Sequence, residues 1–331
     1  MRYPTYEIFV TAFLSLALST VLAPVWINFL RSKNIGEEVR IDGPQEHLLK
    51  QGTPTMGGVL ILFAFTISFL LRAEINLSSL STAALVATLS CGFLGFADDY
   101  SKIAKARSLG LRARTKLFWQ FVISLLVGWI AINYSHVPTT IQIPLTNYAV
   151  DLGLGYYLLV FLIITSTTNG VNMTDGLDGL AVGTVAVVML AYAGIAFKLG
   201  YLDLAIFSAA IGGSCVGFLW YNSFPAEIFM GDTGALGLGG AIAALAILTK
   251  TELLLILIGG IYVLETLSVI AQVVSYRYFG RRVLNMAPIH HHFELLGWSE
   301  TKVMIRFWII AVVFAAAGFA IFFIGAVRGG I

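Results

Sequence analysis

The sequence has little charge and little cysteine, and each shortage excludes a class of protein. Only 11% of its 331 residues are charged, against roughly 25% in soluble domains. Its 20 lysines and arginines balance 18 acids, so it lacks the basic footprint of a nucleic-acid-binding protein. Two cysteines exclude a disulfide scaffold, and a hydrophobic content of 58% excludes intrinsic disorder. The composition therefore predicts an integral membrane protein.

Ten segments are apolar over a length that can cross the hydrocarbon core. A spanning helix needs about 20 mostly apolar residues, and lipid offers the backbone no hydrogen-bond partners outside the helix. The predicted fold class is an all-α polytopic membrane protein with ten transmembrane helices, and residues 1–331 form a single transmembrane domain. The predicted spans are 6–30, 56–72, 80–97, 117–134, 155–170, 180–197, 204–221, 233–249, 253–276 and 305–327.

The basic residues fall mainly on one side of these spans. Fifteen of the 20 lie in or beside one set of loops, and five lie on the side of the termini. Because positively charged loops stay in the cytoplasm, both termini are predicted to be periplasmic. The predicted cytoplasmic loops are 31–55, 98–116, 171–179, 222–232 and 277–304.

One outer loop differs from the other short ones. Residues 139–146 read Thr-Thr-Ile-Gln-Ile-Pro-Leu-Thr and alternate in the manner of a strand. This pattern predicts a small periplasmic hairpin with a structural role.

The ionisable residues gather at the predicted cytoplasmic ends of the helices. Such groups are costly at membrane depth and are functional candidates by default. Since they come from distant stretches of the chain and share one membrane face, they predict one site. They are Asp98, Asp99, Asp175, Asp178, Glu227, Asp232, His290, His291 and His292.

Four predicted spans begin at this face and follow segments rich in glycine, hydroxyl or polar residues: 52–58, 172–179, 230–234 and 290–294. Exposed backbone N–H groups at such helix N-termini favour phosphate binding. The structural alternative is that Thr174 or Asp175 merely caps the following helix.

Asp98 and Asp99 stand where the third predicted span ends. The helix dipole and their mutual repulsion both oppose two carboxylates at a helix C-terminus. Either Lys102 or Lys105 from the following loop, or a bound cation, should offset them; the alternative is an exposed acidic start to a charged loop. Carboxylates select hard cations such as Mg²⁺. Zinc would need the histidines, and three consecutive side chains do not easily converge on one ion.

Glu265 lies in the middle of the span 253–276, with Gln272 on the same helical face. Gly259 and Gly260 precede it and are expected to bend this helix. Glu265 fits either a polar contact between helices or a direct substrate role.

Together these segments resemble the polyprenyl-phosphate N-acetylhexosamine-1-phosphate transferases, and within them the bacterial phospho-N-acetylmuramoyl-pentapeptide transferases, the MraY family. The Asp98-Asp99 pair and residues 172–178 are similar to the wider superfamily. Residues 50–58 and 290–294 are similar to the narrower family. The segments that carry the resemblance are Arg40 to Pro44 with His47 and Lys50, 52–58, 98–100, 172–179, 222–227, 230–232 and 287–294.

The resemblance implies a reaction. Phospho-MurNAc-pentapeptide would pass from UDP-MurNAc-pentapeptide to undecaprenyl phosphate, giving lipid I and UMP, with Mg²⁺ required. The enzyme would be a homodimer in the bacterial inner membrane, with its active site on the cytoplasmic side. A cluster of carboxylates fits, because phosphoryl transfer depends on charge neutralisation and positioning.

The resemblance also implies residue roles. Asp232 would bind Mg²⁺, with Asp98 and Asp99 as further ligands or as the pair that orients or deprotonates the lipid phosphate. That phosphate, with a second pKa of about 6, needs no dedicated base, and a covalent aspartyl intermediate is an open alternative. His291 is a catalytic candidate. Residues expected to bind substrate are Lys50, Thr55, Asn172, Asp175, Gly176, Asp178, Asn222, Phe229, Gln272, His290 and His292.

Three other functions compete with this one. Transfer of GlcNAc-1-phosphate from UDP-GlcNAc is disfavoured by the segments around Lys50 and His290. An intramembrane aspartyl protease would need Gly-x-Gly-Asp, where this chain has Phe-Met-Gly-Asp at 229–232. A secondary transporter would place ionisable groups near the midplane, and only Glu265 fits that pattern.

Overall fold

The computed structural model describes residues 4–36, 50–72, 77–105, 110–146 and 148–327, and its regular structure is almost entirely helical. The Arg40 to His47 part of the resemblance lies outside these ranges. A π-helical turn, Ile130–Tyr134, extends α4. The α-helices are Pro4–Ser32 (α1), Gly57–Arg72 (α2), Ser79–Ala104 (α3), Ala113–Trp129 (α4), Gly155–Thr174 (α5), Leu180–Lys198 (α6), Leu202–Asn222 (α7), Gly231–Leu248 (α8), Glu252–Ile258 (α9), Gly260–Phe279 (α10), Ile289–Leu295 (α11) and Glu300–Val327 (α12).

Within the described ranges, seven helices are long and apolar enough to cross a membrane, and the bent pair α9 and α10 would make an eighth. The chain is therefore an all-α polytopic membrane protein, as predicted. Each of the ten predicted segments is helical. However, α2 has only 16 residues, a length of about 24 Å, and α5 carries the polar run 165–169 in its second half. Ten spans and periplasmic termini stay predictions.

The predicted span 253–276 is a broken helix. α9 and α10 meet at an angle of 81°, and Gly259 lies at the break between them. Gly260 begins α10 so close to the ring of Phe314 that a methyl group at this position would overlap it. The bend expected at the two glycines is confirmed, and it turns α10 away from the axis of α9.

α8 is the central helix of the bundle, and glycines bring its neighbours close to it. Every residue from Asp232 to Leu248 is buried, and α8 packs on α2, α3 and α5. A methyl group at Gly95 of α3 would overlap the backbone of Asp232, and one at Gly58 of α2 would overlap Gly234. Small residues allow such close approach where lipid supplies no hydrophobic driving force. This packing fixes the end of α3 against the start of α8.

The predicted hairpin is present. Strands Thr140–Gln142 (β1) and Ala149–Asp151 (β2) pair antiparallel. It follows α4 and precedes α5, at the end of the bundle opposite Asp98. Lys250 connects the segment before the hairpin to α5 and α9. Its ammonium donates hydrogen bonds to the carbonyl of Pro138 at 3.1 Å, to the hydroxyl of Tyr156 at 2.8 Å and to Glu252 at 2.5 Å.

Candidate active site

Three aspartates from two helices meet at one end of the bundle. Carboxylate oxygens of Asp98 and Asp99 on α3 and of Asp232 on α8 lie within 4.8 Å of one another. All three side chains are buried. The structure thus brings together acids that lie 133 positions apart in the chain. Three carboxylates in so small a buried volume require positive partners.

The sequence analysis expected α3 to end at the aspartate pair. Instead, the helix continues through the polar residues that follow the apolar stretch, as far as Ala104. Asp98 and Asp99 are therefore inside a helix, buried rather than forming an exposed acidic start to a loop. Lys102 lies in the last turn, where the dipole favours a cation.

Asp99 caps α8 from the neighbouring helix. Its carboxylate accepts hydrogen bonds from the N–H groups of Asp232 at 3.1 Å and Thr233 at 2.8 Å, and from the hydroxyl of Thr233 at 2.7 Å. The residue before α8, Met230, supplies no side-chain cap. A carboxylate at the positive end of a helix stabilises it by typically 0.3–1 kcal/mol, and by up to ~2 kcal/mol when partly buried. Asp99 therefore joins α3 to α8.

Two lysines offset part of the negative charge of the three carboxylates. The ammonium of Lys102 lies 3.5 Å from Asp98, 3.3 Å from Asp99 and 3.2 Å from Asp232. Lys116 reaches Asp98 at 3.4 Å and Asp232 at 3.1 Å. Lys102 is one of the two predicted partners, whereas Lys105 is exposed. Sequence analysis missed Lys116 as a partner; its place in the first turn of α4, where the dipole disfavours a cation, was the available signal.

α5 supplies Asn172, whose side-chain amide donates a hydrogen bond to Asp232. The sequence analysis left open that Thr174 or Asp175 in the following loop caps α6, and Thr174 does not. The hydroxyl of Thr174 donates back to the carbonyl of Gly170 at 2.8 Å, and the residue before α6 is Gly179, with φ of 74° and no side-chain bond. Capping of α6 therefore does not explain Thr174.

A second polar cluster joins three distant segments through Lys50. Its ammonium lies 2.7 Å from Asp178 and 2.5 Å from Glu300. Glu300 also accepts the N–H of Asp178 at 2.9 Å, and Asp178 accepts the N–H of Ala226 at 2.9 Å. Lys50 and Asp178 were predicted site residues. Glu300 was not, because an acid in the first turn of a helix is ordinarily explained by the dipole.

His290 is the innermost of the three histidines. It is fully buried, and its Nδ1 lies 3.0 Å from Oε1 of Glu265. A methyl group on Gly176 would overlap the ring of His290 and would reach the ring of His291. The loop after α5 therefore packs directly on α11.

The other two histidines face different partners. Nδ1 of His291 lies 2.6 Å from Glu294, and Nδ1 of His292 accepts the N–H of Asn285 at 3.1 Å. Three consecutive side chains were not expected to converge easily on one ion. The three rings indeed do not converge on one point.

Two side chains that were expected to bind substrate form hydrogen bonds with the backbone around the site. Asn222 accepts the N–H of Gly179 at 3.2 Å and donates to the carbonyl of Ile228 at 2.9 Å. Gln272 accepts the N–H groups of Val283 and Leu284 and donates to the carbonyl of Leu284. Its amide thereby shapes one wall of a cavity of about 670 Å³ between α10 and α11.

Phe229 and Thr55 lie where the 50–58 segment meets the 222–232 loop. The N–H of Phe229 donates to the carbonyl of Pro54 at 2.8 Å, and the ring of Phe229 is half-buried. Thr55 is buried, with its hydroxyl beside Gly231. These contacts bring the 50–58 segment to the start of α8.

The amides at the start of α2 and α8 already have protein acceptors. Gly57 and Gly58 donate to the carbonyls of Phe229 and Met230 at 2.8 Å each, and the first amides of α8 donate to Asp99. The expectation that exposed N–H groups bind phosphate there is wrong for these two helices.

Comparison with known proteins identifies the family. A signature described as phospho-N-acetylmuramoyl-pentapeptide-transferase signature 1 matches residues 50–62, and the profile of glycosyl transferase family 4 matches residues 81–250. A Moorella thermoacetica protein named phospho-N-acetylmuramoyl-pentapeptide-transferase is 49% identical over 305 residues, which are 92% of this chain and 95% of that protein. The chain belongs to the phospho-N-acetylmuramoyl-pentapeptide transferase family.

Two other members of the phospho-N-acetylmuramoyl-pentapeptide transferase family give similar values. The Bacillus pumilus protein is 46% identical over 93% of this chain and 95% of its own length. The Desulfitobacterium hafniense protein is 46% identical over 94% and 96%. The signature includes Lys50 and the profile includes the three aspartates, but α11 lies beyond both.

Proposed function

We propose that this chain transfers phospho-N-acetylmuramoyl-pentapeptide from UDP-MurNAc-pentapeptide to undecaprenyl phosphate, producing lipid I and UMP in peptidoglycan synthesis. The observation that carries this proposal is the buried cluster of Asp98, Asp99 and Asp232 in a membrane protein of this family. Asp232 lies in the first turn of α8, and Asp98 and Asp99 lie within the last two turns of α3. Since the cluster is therefore near one end of the bundle rather than mid-span, a soluble nucleotide and a lipid phosphate can both approach it.

The reaction that fits this cluster is a direct displacement. An oxygen of the lipid phosphate attacks the phosphorus attached to the sugar, the bond from that phosphorus to the UMP oxygen breaks, and UMP leaves with the electron pair. Lys102 and Lys116 lie where they can offset the negative charge of the transferred group. Direct attack is favoured over an aspartyl intermediate, because carboxylates held in ion pairs and hydrogen bonds are weaker nucleophiles.

The residues fit a hard divalent cation. Mg²⁺ prefers carboxylate and phosphate oxygens, and one positive group, the ammonium of Lys102, lies within 3.5 Å of all three carboxylates. We assign Mg²⁺ to Asp98 and Asp232, since Oδ2 of each faces the ammonium groups of Lys102 and Lys116, which an ion can displace, whereas both oxygens of Asp99 accept backbone N–H groups of α8. When bound, the ion neutralises charge on the reacting phosphates.

The second cluster fits the nucleotide end of the donor. Lys50, held between Asp178 and Glu300, is a cation in a fixed position, and the half-buried Phe229 contacts the same 50–58 segment through the carbonyl of Pro54. We place the active site on the cytoplasmic side, from the distribution of basic loops. A homodimer stays a prediction of the resemblance.

The first test is UMP release by the purified full-length protein in detergent, with undecaprenyl phosphate and UDP-MurNAc-pentapeptide. UMP should appear only when the lipid, the muramoyl donor and Mg²⁺ are all present. Release with UDP-GlcNAc alone would overturn the substrate assignment. A burst of UMP stoichiometric with protein in the absence of lipid would contradict direct displacement.

Glu300→Gln should weaken donor binding more than catalysis. Without the charge of Glu300, the ammonium of Lys50 keeps only Asp178 as an ion-pair partner and is less firmly positioned. We therefore expect KM for UDP-MurNAc-pentapeptide to rise about tenfold, or ~1.4 kcal/mol, with kcat changed little. Glu7→Gln, also in the first turn of a helix, is the matched control and should leave both constants unchanged. An unchanged KM for the Glu300 variant would remove it from the donor site.

A further inference from the structure

Glu265 and His290 form a buried polar pair whose bonding is incomplete. Glu265 lies on α10 and His290 on α11, and both are 0% exposed. Their closest atoms, Oε1 and Nδ1, are 3.0 Å apart. Neither oxygen of Glu265 and neither ring nitrogen of His290 completes a hydrogen bond of standard geometry within the described residues. Because burying such groups unpaired is costly, a pair of this kind in a native structure calls for an explanation.

Direct contact with substrate does not explain the pair, since Glu265 is completely buried beneath His290. His290 does touch the proposed site. Its ring packs on that of His291, with centroids 4.1 Å apart and an angle of 61°. On another side it lies against Gly176, where there is no room for a side chain. Gly176 belongs to the loop that carries Asp178.

We infer that Glu265 is a positioning residue for the transferase reaction, acting through His290. This inference rests on the proposed function. An acceptor oxygen 3.0 Å from Nδ1 favours a proton on that nitrogen and fixes the orientation of the ring, as carboxylate–histidine pairs do around many metal sites. The oriented ring then supports His291 and the 172–179 loop, which face the donor. Glu265 thereby connects the bent helix α10 to the catalytic face.

Two substitutions test this role in the full-length protein. Glu265→Ala should lower kcat by about 10- to 100-fold, with little change in KM for undecaprenyl phosphate. Glu265→Gln should recover most of the loss, because its amide oxygen still accepts from Nδ1–H. Glu252→Gln is the control: it alters another buried glutamate, 4% exposed, at the opposite end of the bundle and should leave kcat unchanged. Equal losses for the Ala and Gln variants at position 265 would overturn the inference.

A double-mutant cycle separates positioning from general stability. If Glu265 acts through His290, Glu265→Ala added to His290→Ala should cost no more than about twofold further. Losses that multiply, or a lower unfolding temperature with unchanged kcat per folded protein, would contradict the inference.

A spectroscopic readout keeps this test separate from the proposed function. In ¹⁵N-histidine NMR, with the signal assigned by His290→Asn, the ring should carry its proton on Nδ1 in the parent and in Glu265→Gln. The tautomer should change in Glu265→Ala. An unchanged tautomer would refute the positioning role even if the enzyme used another donor. If the parent protein showed no turnover with the muramoyl donor, that result would instead count against the proposed function.

Discussion

Asp232→Asn is expected to lower turnover by about a thousandfold while the protein stays folded. The amide keeps the size of the side chain and can still accept the hydrogen bond from Asn172. It removes one of the two carboxylates assigned to Mg²⁺ and leaves Lys102 and Lys116 facing less negative charge. Removing one group that stabilises charge in a transition state costs about 10²–10³ in kcat, and loss of the metal adds to this. UMP release, thermal unfolding and Mn²⁺ binding by electron paramagnetic resonance would measure the three consequences.

The neighbouring aspartates sharpen this prediction. Asp98→Asn should resemble Asp232→Asn, with weaker metal binding and an unchanged unfolding temperature. Asp99→Asn should behave differently and lower the unfolding temperature, because Asp99 holds the start of α8. If Asp99→Asn weakened metal binding as strongly and left stability unchanged, Asp99 would be a ligand and the assignment above would be wrong.

Gly95→Ala should be among the most damaging packing substitutions. In an exposed helix interior, alanine is favoured over glycine by about 1 kcal/mol. Here the added methyl group would overlap the backbone carbonyl of Asp232, and backbone cannot move aside as a flexible side chain can. Overpacking of this kind costs typically 1–3 kcal/mol, so the clash outweighs the gain. Because the displaced atoms belong to Asp232, to which we assign Mg²⁺, we expect a lower unfolding temperature and a loss of activity of at least about 100-fold.

Gly212→Ala provides the matched comparison for Gly95→Ala. It makes the same change inside α7, where the new methyl group would meet only the side chain of Met189 at 3.6 Å, an ordinary contact. We expect unchanged turnover and an equal or slightly higher unfolding temperature. Similar losses in both variants would mean that helix flexibility, and not the contact between α3 and α8, is what Gly95 provides.

The meeting of the three aspartates was predictable because each stands at the end of an apolar run. Alternating helix directions then place those ends on one face, whatever the packing. The end of α3 was not predictable in the same way. Residues 100–104 lie outside the apolar run, and hydropathy carries no information on whether a helix continues into polar surroundings.

The partners of the site residues were the least predictable part. Lys116 was one of fifteen basic residues on its side of the membrane, and its unfavourable place in the first turn of a helix does not say which acids it meets. The pairing of Lys50 with Glu300 spans 250 positions and depends on how α12 packs. The backbone amides at the start of α2 and α8 were expected to face phosphate, and only tertiary structure could supply the carbonyls and the carboxylate that bind them instead.

The complete burial of α8 bears on where the lipid product can go. Beyond Thr233, α8 carries only glycine and apolar side chains as far as Leu248, so the helix itself presents no polar side chain that could replace the hydration of a sugar or a pyrophosphate headgroup. We therefore expect a glycolipid made at the aspartates to leave sideways, in the leaflet that delivered its carrier.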